Sequence, residues 1–164
     1  MNEPIKIERN ALDVIETIVS LSCLFGVAAY LILAWRTIPD QVPTHFNAAG
    51  EIDSMGGKNS LLLLPIVSWL LYGLMTLVER FPQVWNTGVF VTENNRDAVY
   101  RLLKNMLAMI KMFIMILFAS LTLLSAAGRN LPVWFLLAFL AVMFGTIAYY
   151  MARLLRLKDK SIRV

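Results

Sequence analysis

The chain carries a single histidine, His45, which falls in a short polar segment, residues 36–60, between two apolar runs. Pro39, Pro43, Asn47, Gly50, Asp53 and Lys58 surround it, so the segment offers one imidazole with an amide, a carboxylate and an ammonium. An imidazole near a carboxylate is able to take up a proton or to recognise the polar part of a ligand. The two prolines stiffen the approach and favour extended backbone in the residues before them. If residues 42–47 are extended, alternation puts His45 and Asn47 on one face; Ala48-Ala49-Gly50-Glu51 then forms a turn that folds Asp53 and Lys58 back towards them. Catalytic zinc is normally held by three protein ligands, often with more than one histidine, and here His45 has only Glu51 or Asp53 beside it. No nucleophile motif accompanies the histidine. No catalytic residue, metal or cofactor is therefore assigned. The loop is expected to bind a ligand, with two alternatives: a metal-dependent membrane hydrolase using His45 and Asp53, or a hydrogen-bonded network that only seats the loop on its surroundings.

Glu16 and Lys111 are the two charges that fall inside apolar runs, where ionisable groups are expensive and point to function by default. Both lie near the ends of their runs. A lysine at that depth can snorkel to the interface, or the two can pair, so the expected role is an anchor or ion pair. On that reading Lys111→Met costs about 1 kcal/mol. The rival is a small transporter subunit working through both charges.

The elements that must hold these groups are membrane spans. The 164-residue chain is 59% apolar and 16% charged, against about 25% charged in soluble domains, and its mean hydropathy is +0.66. A soluble globular enzyme and a disordered chain are both excluded. Residues 14–35, 61–78, 106–127 and 131–152 form four apolar stretches, each close to the roughly 20 residues that cross a hydrocarbon layer. The first has charged flanks and no cleavage site after it, so it is expected to be retained as a helix. Between the last two, Gly128 is suited to end one helix and Asn130 to cap the next, with Pro132 in its first turn. Ser22 with Gly26, and Ala141 with Gly145, allow close helix approach within the chain or in a homodimer. The expected fold is an all-α integral membrane protein, a single four-helix bundle with a polar loop at 36–60 and a basic tail at 153–164.

Basic residues orient the bundle. Eleven lie on the side of both termini and the loop after the second span, and three (Arg36, Lys58, Arg129) on the other. Cationic loops stay in the cytoplasm, so both termini are expected inside and the His45 segment outside. The net charge of +4 therefore reports topology, and no nucleic-acid partner is expected. The tail from Arg153 to Arg163 is explained by anionic lipid headgroups, with a cytoplasmic regulator as the alternative.

Pro39, Pro43, His45-Phe46-Asn47, Gly50, Asp53 and Lys58, followed by an apolar span with Pro65, make a pattern that resembles the SdpI-like family of bacterial immunity proteins, which carry domain of unknown function 1648. A second stretch is also similar: Asn86-Thr87-Gly88, then Glu93, Asn94 and Asn95, then Tyr100. The resemblance implies a bacterial cytoplasmic-membrane protein, protection against a secreted toxic peptide, and sequestration of a cytoplasmic regulator. It supplies no catalytic residues. This chain is shorter than SdpI, with four spans and not six.

Overall fold

The computed structural model describes residue 5 and residues 7–162, with side chains described as far as Leu157. Four helices dominate: α1 (Ala11–Ala34), α2 (Leu63–Glu79), α3 (Arg96–Ala126) and α4 (Val133–Ile162). All four are long and apolar enough to cross a membrane, α2 together with the 3-10 turn Lys58–Leu62 before it. The chain is a multi-pass membrane protein. Its helices turn large apolar side chains such as Ile32, Leu33 and Leu70 outward, as a lipid-facing surface requires.

The helix ends follow local chemistry. At the start of α1, Asn10 and Asp13 form a reciprocal capping box, each side chain bonding the other's backbone N–H at 2.8–3.0 Å. Pro65 sits in the first turn of α2, where its missing N–H costs nothing. Gly128, at φ +61°, ends α3 while Arg129 N–H bonds back to the Leu124 carbonyl. Asn130 does not take its expected role: its side chain accepts from Ile52 N–H at 3.1 Å, across to the His45 segment. Helix α3 begins about ten residues before its apolar run and α4 continues about ten beyond. The extensions pack on each other through Val99, Leu103 and Leu154, with Trp85, Val89 and Val91 from the α2–α3 connection closing a small core. The Lys158 and Lys160 side chains and Arg163, which the tail reading needs, lie outside the described residues.

The segment between α1 and α2 departs from the all-α expectation. It is an antiparallel hairpin, β1 (Gln41–Phe46) with β2 (Ile52–Gly57). Pro43, buried, is tolerated because a two-stranded ladder leaves each strand a free edge. Ile38 and Val42 sink into a core with Val27, Leu31, Leu61 and Ala126, which seats the hairpin on the ends of α1 and α3. Helix α3 is central, packing against α1, α2 and α4. Along α4 no residue from Val133 to Arg153 is buried; Leu154 is the first that is.

Candidate functional site

The hairpin assembles part of the predicted cluster and disperses the rest. His45 pairs with Ser54 and Phe46 with Ile52, which leaves Thr44 and Asp53 unpaired in the register. Bulges of this kind bend the strand and re-aim a side chain. Here they bring the Asp53 carboxylate to His45, Oδ1 to Nδ1 at 2.6 Å. An ionised carboxylate only accepts, so Nδ1–H is the donor and the ring is held with Nε2 as its second polar atom. Both groups are solvent-exposed.

Asn47 does not join them. Its Oδ1 accepts from Ala49 and Glu51 N–H at 2.9 and 3.0 Å, and its amide donates to Glu51 Oε2, so it builds the turn. Lys58 is also elsewhere: Nζ donates to the Ile38 carbonyl at 2.7 Å and lies 5.2 Å from the centre of the Trp35 ring. Pro39 is an exposed stiffener before β1. Gly50, at φ +82°, gives its carbonyl to Leu131 N–H at 2.8 Å, tying the hairpin tip to the α3–α4 connection.

Beneath the hairpin this leaves a crevice of about 300 Å³. Thr44, His45, Phe46 and Asn47 line one wall; Leu117, Leu121, Leu131, Phe135 and Leu136 line the other, with Ser125. One polar edge over an apolar floor matches the general make-up of small-ligand sites. Thr44 and Ser54, the hydroxyls flanking the histidine, bond each other at 3.2 Å. Among the described residues no three His, Cys, Asp or Glu side chains converge as metal ligands do.

At the opposite end of the helices lies a second polar cluster. Lys111 Nζ is 3.3 Å from Glu16 Oε2 and 3.0 Å from Glu79, with Thr76 Oγ1 at 3.3 Å and the Tyr72 ring centre at 5.0 Å. Lys111 is 2% exposed and Glu16 3%. Of the two expected roles, this geometry has the ion pair and not the snorkelling lysine, and the expected cost of about 1 kcal/mol no longer applies. Asp13 forms an outer layer with Lys104 at 3.1 Å and Arg101 at 3.4 Å. Sequence reasoning missed Glu79 and Asp13, each of which lies just outside an assigned span. The usable signal was spacing: Asp13, Glu16 and Ser20 share a face of α1, Tyr72, Thr76 and Glu79 a face of α2, and Lys104 and Lys111 a face of α3.

The second motif stretch is part of this end, far along the helices from His45. Asn95 is buried and bonds Thr92 N–H and the Phe90 carbonyl; the Tyr100 ring lies tilted against Trp85; Glu93 and Asn94 are exposed. These contacts fold the α2–α3 connection. An added Cβ at Gly26 or Gly145 would meet nothing within 4 Å, so these small residues do not mediate close packing inside the chain.

Residues 22–68 match the family model described as a domain of unknown function (DUF1648), which covers the second half of α1, the hairpin and the start of α2 as far as Ser68. An uncharacterized protein of Archaeoglobus fulgidus is 36% identical over 69 residues, covering 37% of this chain and 38% of that protein. The chain thus spans well under half the length of the relative it matches. No solved structure matches it. His45, Asn47, Gly50, Asp53 and Lys58 all fall inside the matched domain, and Glu79 and Lys111 outside it.

Proposed function

We propose that the protein is a non-enzymatic membrane receptor of immunity type, binding an amphipathic ligand such as a membrane-active peptide at its hairpin end. The single observation that carries this reading is the crevice of about 300 Å³, with an apolar helical floor and His45, steered by Asp53, at its polar edge. An apolar stretch of ligand fits the floor, and its polar part meets the histidine. Resemblance to SdpI-like proteins supports the class of ligand.

A dansylated amphipathic peptide tests it, added to the protein in lipid nanodiscs with empty nanodiscs subtracted. Wild type should bind saturably. His45→Ala and Asp53→Asn should each weaken binding about tenfold, the scale of one lost charged hydrogen bond. Leu121→Trp should fill the crevice and remove binding. Wild-type affinity in the His45→Ala, Asp53→Ala double variant would defeat the reading.

The reading also requires the hairpin to face outward from a cytoplasmic membrane with both termini inside, as the asymmetry of basic residues supports. In a Cys23→Ser background, Asn59→Cys should react with an impermeant thiol reagent on intact cells, whereas Asn94→Cys should react only after lysis. Both sites are exposed, so labelling of Asn94→Cys on intact cells would reverse the orientation.

A further inference from the structure

The Glu16–Lys111–Glu79 cluster takes no part in the crevice, yet it is the most deeply buried charge in the described residues. Two carboxylates share one ammonium. Lys111 has three N–H groups, and Glu16, Glu79 Oε2 and Thr76 Oγ1 stand around it as three acceptors. Glu16 is further supplied by the Ser20 hydroxyl at 2.9 Å. Glu79 Oε1 is buried and accepts no hydrogen bond, although the ammonium is 3.0 Å away. The cluster is therefore one donor short and carries one surplus negative charge.

The surrounding charges relieve this only in part. On α1 the other facing group is Asp13, already paired with Arg101 and Lys104. On α2 it is Tyr72, whose ring lies beside the ammonium. On α3, Arg101 and Lys104 exceed Asp13 by one positive charge, but they attach about three and two helical turns from Lys111 and are partly open to solvent. On α4, Arg153 is exposed and bonded to Tyr149. A metal cation is not what the cluster needs, since the ammonium already fills the position between the carboxylates.

We propose that Glu16, Lys111 and Glu79 form an internal proton-binding site, in which the two carboxylates share one exchangeable proton. The proton passes from bulk water to Glu79 Oε1, and the cluster goes from one net negative charge to none. Glu79 is the port, because its side chain is 15% exposed where those of Glu16 and Lys111 are 3% and 2%. Protonation there weakens the tie between α2 and Lys111 while leaving the tie to α1, so proton occupancy bears on how α2 sits against α3.

Infrared difference spectra of the full chain in nanodiscs, between pH 5 and pH 9, test the site. Wild type should show one protonated-carboxyl stretch that shifts in heavy water. The band should disappear in Glu79→Gln or in Glu16→Gln and persist in Asp13→Asn. Should the glutamine variants fail to insert, Glu16→Asp and Glu79→Asp keep the charge, and one of them should move the band. No carboxyl band in wild type overturns the proposal, as does a band that none of the Glu16 and Glu79 variants alters.

Discussion

Lys111→Met is expected to destabilise the protein by about 3–5 kcal/mol, the range for removing one member of a buried ion pair and stranding its partners. Methionine matches the length of the lysine stem, so the loss comes from charge and not from a cavity. Glu16 and Glu79 would then face each other with no cation between them, at 3% and 15% exposure. Arg101→Met is the control. Its side chain is 27% exposed and its distance to Asp13 is 3.4 Å, so after screening the cost should be about 1 kcal/mol or less. Replacing the whole cluster by Glu16→Gln, Lys111→Met and Glu79→Gln should recover much of the loss, because a neutral set of similar volume leaves no charge unpaired. Reversible unfolding in mixed micelles measures all three. A Lys111→Met protein within about 1 kcal/mol of wild type would mean that the ammonium reaches water after all.

The helices were legible because a run of about 20 apolar residues has few other ways to satisfy its backbone in lipid. Their ends were not. The extensions of α3 and α4 are polar enough to fall outside an apolar run, and they stay helical by packing Val99, Leu103 and Leu154 together. Hydropathy marks what lies in the membrane, whereas helix length also depends on contacts made beyond it.

The hairpin was half legible. Extended backbone before a four-residue turn follows from the prolines and Gly50, but strict alternation puts His45 with Asn47. The turn does return Asp53 to His45, with Thr44 and Asp53 dropping out of the ladder, whereas Asn47 is taken up by the turn itself. No local residue pattern announces a bulge. Lys58 went astray for another reason: the Ile38 carbonyl and the Trp35 ring compete for the ammonium, and both belong to the turn after α1. Pairing of Glu16 with Lys111 was open to sequence because each is a lone charge in an apolar run. Glu79 was hidden by standing one residue past the run to which it belongs.

Gly50→Ala is expected to detach the hairpin tip from the α3–α4 connection and to abolish binding in the crevice. Two costs add at this position. The backbone sits at φ +82°, a conformation that charges a residue with a Cβ about 1–3 kcal/mol. The new Cβ would also lie 2.4 Å from the Leu131 carbonyl oxygen. That oxygen is backbone and cannot rotate away, so the tip must move. Movement breaks the Leu131 N–H bond to the Gly50 carbonyl and strains the neighbouring bond from Ile52 N–H to Asn130. Those two bonds hold the hairpin across the mouth of the crevice, while Ile38 and Val42 at its base stay in the core with Leu31. The four spans should therefore insert normally, with the loss confined to residues 44–54. Hydrogen exchange should show faster exchange at Ile52 and Leu131 N–H, unchanged protection in mid-helix α3, and no saturable binding of the amphipathic peptide. The same exchange profile as wild type would show that the tip accommodates a methyl group. Peptide binding that survives a detached tip would move the ligand site away from the crevice altogether.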